Sequence, residues 1–286
     1  MKQKRAVAIN DISCMGKCSL TVALPIISSL GIETVVLPTA VLSSHTAFEG
    51  FTFCDLTEEF APITQHWKQR AEEFDCIYSG YLGSLRQIEL VEHFIRDFKT
   101  EATTVIIDPV LGDHGRLYTN FTEEFAESMA KLCAYADVIT PNLTEAAFLL
   151  GREYVGEGYT EEYVKELLCE LASLGAKKII LTGISFDEKR LGIACYDAAS
   201  GEYSYYAGER IESMFHGTGD VWASSFTAAY VKGYDFAQAA KIATDFTVQC
   251  IKATVDDKEN HWYGVKFENC LADFCIKYAR GNTLSK

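Results

Sequence analysis

RAVAINDISCMGKCSLTVALPIISSLGIETVVLPTAVLS, residues 5–43, decides the fold class. Its opening, RAVAIN (5–10), is a short β-rich run, and NDISCMGKCS (10–19) is a polar loop containing Gly16. The apolar LTVALPIISSL (20–30) reads as a helix stopped at Gly31, and ETVVLPTAVLS (33–43) supplies the next strand. Strand, loop, helix and strand in that order open a parallel sheet. The Gly16-Lys17 pair does not make the loop a Walker A phosphate site. Such a loop needs an earlier glycine where Asp11 stands and a Ser or Thr where Cys18 stands.

Outward from this opening the alternation repeats. SSHTAFEGFTF (43–53) is dense in polar and aromatic side chains, either a connecting loop or a flap over a small aromatic ligand. Helices are expected over 57–73 and 85–99, with a strand in FDCIYSGYLGS (74–84) ending in a Gly-rich turn. In TTVIIDPVLGDHGRLY (103–118) the run VII ends on Asp108 and Pro109 stops it. A carboxylate therefore stands at the carboxyl end of a buried strand, the edge where open parallel sheets bind ligands. Asp113 follows in a Gly-flanked loop, so either two carboxylates converge or a strand-terminal turn carries solvated acids.

ADVITPNLTEAAFLLG (136–151) has the same form, a strand, Pro141 and a helix ended by Gly151. Thr144 is its expected N-cap and Glu145 a partner for the helix dipole, a structural role sufficient to explain Glu145. A helix over 160–174, a strand AKKIILTG (176–183) ending at Thr182 and Gly183, a β-hairpin or pair of strands over 190–207 and helices over 235–254 and about 265–279 follow. The final GNTLSK (281–286) is expected to fray.

The clearest chemistry lies in IESMFHGTGDVWASSFTAAY (211–230). Gly217 and Gly219 bracket Thr218, Asp220 follows, and a small apolar run then continues as a helix expected to pack closely on a sheet through its small residues at 217, 219 and 223–225. Glycine lets a ligand approach the main chain, and the first N–H groups of a helix, with the positive dipole end behind them, favour an anion. The same dipole is expected to hold the Asp220 pKa low. A helix entered through a Gly turn, with Asp220 as an ordinary first-turn charge, is the alternative.

Composition limits the rest. The chain has 286 residues, 48% of them hydrophobic, enough for one large α/β domain or two smaller ones. A net charge of −14 argues against nucleic-acid binding, which needs a basic face. MKQKRAVAIN runs straight into a strand without the apolar region of a signal peptide, and no apolar run reaches membrane-spanning length, so a cytoplasmic location with no membrane partner is expected. The ten cysteines are scattered and lack zinc-ligand spacing; buried free thiols are expected rather than disulfides.

Taken together, INDISCMG (9–16), SSHT (43–46), SGYLGS (79–84), DPVLGD (108–113), TPNLTEA (140–146) and FHGTGD (215–220) resemble the ribokinase-like small-molecule kinases, and within them the pyridoxal (pyridoxine, pyridoxamine) kinases. The resemblance implies one three-layer α/β/α domain over 1–286 with a central, mostly parallel sheet and a minimal lid. It implies transfer of the ATP γ-phosphate to the hydroxymethyl group of a B6 vitamer, with Mg²⁺, a monovalent cation such as K⁺ near Thr140 and Asp113, and assembly as a homodimer. Asp220 matches the catalytic base, and Gly217, Thr218 and Gly219 the anion hole. Asn142 and Glu145 match the residues that arrange the metal and its waters. Asp108 and Asp113 line the nucleotide-phosphate and cation region, so that Asp113 and Glu145 form the metal side. Thr182 matches a phosphate contact, and Thr46 and Tyr81 hold and cover the pyridine ring. Many relatives carry Ser where this chain has Asp11, which is expected to take a hydrogen bond from the ring nitrogen or 3-hydroxyl. The rivals are a hydroxymethylpyrimidine kinase, which often has Cys at the place of Asp220, a non-catalytic vitamer binder, and a sugar kinase with a larger polar lid.

Overall fold

The structure, a computed structural model, describes residues 2–119 and 121–281; apart from Gly281, the tail expected to fray lies outside the described residues. Along the chain come β1 (Arg5–Ser13), α1 (Leu20–Ser29), β2 (Glu33–Leu42), β3 (Phe53–Asp55), α2 (Thr57–Gln69) and β4 (Cys76–Ser79). Next are α3 (Leu85–Phe98), β5 (Thr104–Ile107), β6 (Gly112–Asp113), β7 (Arg116–Leu117), α4 (Glu123–Cys133), β8 (Val138–Ile139) and α5 (Leu143–Leu150). The last part holds α6 (Glu161–Ser173), β9 (Lys178–Asp187), β10 (Arg190–Asp197), β11 (Glu202–Glu209), α7 (Thr218–Lys232), α8 (Phe236–Lys252) and α9 (Glu268–Tyr278). This is the expected α/β class with a mostly parallel sheet. Between β2 and α2 the chain makes only a loop and the three-residue β3, in keeping with a minimal lid.

The chain divides into two compact units. The first, Met1–Tyr78 with Ile211–Lys286, has β1 and β2 in parallel and β3 antiparallel to β2. Ala6, Val7, Ala8 and Ile9 of β1 are fully buried, as a strand covered on both faces requires. The strand runs three residues beyond RAVAIN, because Ile12 and Ser13 pair with Val41 and Leu42 after a register shift at Asn10. The presumed polar loop thus begins inside the sheet.

Helix α7 is buried without a break from Val221 to Ala229, the mark of a core helix rather than a one-sided surface one. It packs chiefly on the helices α1 and α8, not on a sheet as its small residues suggest, and Gly219 stays exposed.

The second unit, Ser79–Arg210, has β5, β8 and β9 in parallel and the antiparallel hairpin β10–β11 beyond β9. β9 does not stop at Gly183 but continues to Asp187, held by pairing with β10. No element is expected from the sequence over 119–135, yet α4 fills most of it, capped by the Thr122 side chain accepting from Phe125 N–H. β6 and β7 form a tight hairpin turned at His114 (φ 51°) and Gly115 (φ 75°), so Asp113 lies in a strand pair rather than a loop. All ten cysteines are free thiols, and six of them, Cys18, Cys76, Cys133, Cys195, Cys250 and Cys270, are buried. Among the described residues no helix is long and apolar enough to cross a membrane.

Candidate active site

The first unit carries the glycine turn. Gly217 caps α7 in the left-handed region at φ 71°. A Cβ there would lie 1.8 Å from the carbonyl oxygen of Lys17, so both conformation and space demand glycine. Gly219 is different: its backbone is ordinary and a Cβ would meet nothing within 4 Å. The fold itself does not require that glycine, and the space above it is open. The first N–H groups of α7 have no partner within the helix and face outward at this end.

Asp220 follows in the first turn and keeps partial exposure. Its carboxyl is pushed up to about 7, first by loss of surrounding water and then by the charge of Asp11. The backbone N–H of Ser19 and the side chain of Asn10 donate to it without reversing the shift. The low pKa expected from the helix dipole is therefore not found, since burial and a neighbouring carboxylate outweigh the dipole.

Asp11, at the β1 register shift, is 5% exposed. Its two oxygens accept from Ser13 Oγ at 3.1 Å and Ser19 Oγ at 2.5 Å. Ser19 holds φ 54° and ψ −136°, a conformation costly for a residue with a Cβ. Asp11 and Asp220 are thus brought together by a residue that the sequence does not single out. Thr46 is exposed on the loop after β2. Its neighbour His45 packs against His216 at a tilt of 45° with ring centroids 4.8 Å apart, and His216 meets Trp262 edge-on at 6.4 Å. The His45 ring is drawn down to about 4, by burial first and His216 second, and so is neutral near pH 7. The histidines of SSHT and FHGTGD were visible signals for this pairing; Trp262 was not.

The second unit gathers Asp108, Asp113, Asn142, Glu145 and Thr182. Asp108, 8% exposed just past β5, accepts from Thr140 Oγ1 at 3.1 Å. Asn142, not Thr144, caps α5: its Oδ1 accepts from Glu145 N–H at 2.9 Å while a Glu145 carboxyl oxygen accepts from Asn142 N–H at 2.8 Å. Thr144 Oγ1 instead accepts from Gly115 N–H at 2.9 Å, tying the hairpin down. The second Glu145 oxygen accepts from Leu111 N–H at 3.2 Å, and Asn142 Nδ2 donates to the Gly112 carbonyl at 3.0 Å.

Burial, then Asp108 and Asp113, raise the Glu145 carboxyl well above its usual range. Asp113 is exposed and its Oδ1 accepts from the His114 N–H at 2.8 Å. Thr182 forms a parallel bridge to Asn142. Tyr81 is stacked on Phe121, ring centroids 5.6 Å apart.

Chemically, the first unit sets the unpaired N–H groups of a helix start beside a carboxyl pushed up to about 7. The second offers acids whose mutual repulsion a cation would relieve. Among the described residues no three His, Cys, Asp or Glu side chains close on one point as a metal site.

Residues 33–264 match the family model described as phosphomethylpyrimidine kinase. A Caenorhabditis elegans relative described as "Putative pyridoxal kinase" is 28% identical over 197 residues, 68% of this chain and 58% of its own length. A Bacteroides thetaiotaomicron structure solved with pyridoxal is similar at a TM-score of 0.91 and 41% identity, covering 96% of each chain. The structure of pyridoxal kinase from Lactobacillus plantarum is similar at a TM-score of 0.88 and 27% identity, covering 96% of this chain and 98% of that one.

Proposed function

The chain belongs to the phosphomethylpyrimidine kinase family, and from that premise we propose that it transfers the γ-phosphoryl group of ATP to the hydroxymethyl oxygen of pyridoxal, pyridoxine or pyridoxamine. The observation that carries this reading is Asp220 itself, a partly exposed carboxyl titrating near pH 7 in the first turn of a helix entered through the Gly217-Thr218-Gly219 nest.

In this reading Asp220 takes the proton of the acceptor hydroxyl as its oxygen bonds to phosphorus and the bond to the ADP oxygen breaks. The N–H groups of Gly217, Thr218 and Gly219 hold the oxygens of the transferring group. Because phosphoryl transfer has a loose transition state, positioning and charge matter more than base strength, and a carboxyl titrating near neutrality is suited to accept the proton late.

Thr46 and Tyr81 serve the acceptor ring, while Asp108, Asn142 and Thr182 serve the nucleotide phosphates. Asp113 and Glu145 would hold the cation, whose positive charge would offset the repulsion between Glu145 and Asp108. Mg²⁺ supplies neutralisation of the phosphate charge on a chain of net charge −14. A monovalent cation near Thr140, a homodimer and a cytoplasmic location belong to the same proposal.

The family description favours one second reading, a hydroxymethylpyrimidine acceptor. A coupled assay with ATP-Mg²⁺ separates the two: faster turnover of the B6 vitamers is expected, and faster turnover of the pyrimidine would replace the first reading with the second. Vitamer binding by calorimetry with no ATP consumption would leave a binding protein instead.

A further inference from the structure

Asp11 is expected from the resemblance to touch the acceptor ring, but its surroundings describe another task. Both carboxyl oxygens already accept from hydroxyls of the chain, Ser13 Oγ at 3.1 Å and Ser19 Oγ at 2.5 Å, and the residue is 5% exposed. Little of it is offered to a ligand.

Ser19 looks both ways. Its hydroxyl is given to Asp11 and its backbone N–H to Asp220, while its carbonyl accepts from Val22 and Ala23 N–H at the head of α1. It holds φ 54° while only 6% exposed, a strained conformation that persists where surrounding bonds determine it. Those bonds are the ones to the two acids and to α1.

We propose that Asp11 is a positioning residue for Asp220 and not a ligand of the acceptor: through Ser19 the two carboxyls are held as a pair, and the charge of Asp11 tunes the base. This rests on the reading of Asp220 as the base. The titratable groups facing Asp220 are Asp11 from β1 and Cys18 from the turn before α1; Asn10 and Ser19 are neutral donors. Burial first, and Asp220 second, push the Cys18 thiol up to about 12, so it is uncharged over the working range and leaves Asp11 as the group that acts.

The sign is fixed by Coulomb's law. A nearby carboxylate raises the proton affinity of Asp220, so replacing it with a neutral side chain lowers it. In the full-length Asp11→Asn variant the acid limb of the kcat/KM profile is expected to move down by about one pH unit. The acceptor KM on the plateau should stay within about threefold. An acceptor KM raised more than about tenfold, with the limb unmoved, would overturn the proposal, since that is the loss expected of a direct polar contact. Asp11→Ser provides the same comparison should the asparagine variant fold poorly, and thermal melts check both.

A carboxyl ¹³C NMR titration, with the Asp220 signal assigned by its loss in Asp220→Asn, reads the pairing without turnover. An Asp220 titration unchanged by Asp11→Asn refutes the proposal. A titration that moves while the rate profile does not upholds the pairing and removes Asp220 as the base, so the two failures are told apart.

Discussion

At the scale of single residues, Asp220 is the side chain on which turnover should depend most. Asp220→Ala should lower kcat by about 10²–10⁴-fold, the usual contribution of a general base, while ATP binding measured by calorimetry is retained. The same carboxyl also makes a stability prediction. Its folded pKa of about 7 exceeds the ordinary value of 3.8, so the native state binds the proton more tightly than the unfolded chain. The resulting stabilisation is full below about pH 4 and is lost as pH rises through 7. Asp220→Asn cannot lose it: melts should show the variant more stable than the parent above pH 7, by of the order of 1–3 kcal/mol, with the difference vanishing below pH 4. A constant difference across that window would mean that Asp220 is not perturbed. None of this was legible in the sequence, where the helix start suggested the opposite shift. The causes, burial first and the charge of Asp11 on β1 second, come from the packing of remote segments around the helix start.

At the scale of elements, the start of α7 separates two glycines that look alike in GTGD. Gly217→Ala would drive a Cβ to 1.8 Å from the Lys17 carbonyl at a φ of 71°, and should destabilise by more than about 2 kcal/mol with loss of turnover. Gly219→Ala meets nothing and sits in the helix, so it should raise stability by about 0.5–1 kcal/mol while lowering turnover, if phosphate oxygens approach that backbone closely. A Gly219→Ala enzyme with unchanged kcat would remove Gly219 from the anion nest. On α5, Asn142→Ala removes the side-chain half of the capping box, the Oδ1 that accepts from Glu145 N–H, and should cost about 1 kcal/mol in denaturant melts.

Asn-Leu-Thr-Glu has the spacing of that box, yet the cap was expected at Thr144, whose hydroxyl instead accepts from Gly115 N–H. α4 was not read from the sequence, although Phe125, Ala126, Met129, Leu132 and Cys133 fall on one buried stripe after Thr122. The continuation of β1 through Asp11 was not, because polar residues read as loop until their hydroxyl partners are known.

At the scale of the whole molecule, the alternation of β-branched runs with apolar helices made the α/β class readable, since each signal is local and survives in the linear chain. The motifs that end strands, DPVLGD and TPNLTEA, were readable for the same reason: proline and glycine mark where a buried strand gives way to a turn. What the linear chain hid were contacts between remote segments, such as Lys17 against Gly217 and His45 against His216. Charge is also a property of this scale. With a net charge of −14, the chain should bind ATP only with a divalent cation present, so chelation with EDTA should abolish both turnover and the thermal stabilisation by ATP.

The most direct test of the central claim is the initial rate of ADP formation with ATP-Mg²⁺ and each B6 vitamer, measured on the parent and on Asp220→Ala side by side. A vitamer phosphorylated by the parent, at a rate lowered at least about a hundredfold in the variant, is the predicted result. Turnover in the variant within tenfold of the parent would contradict it.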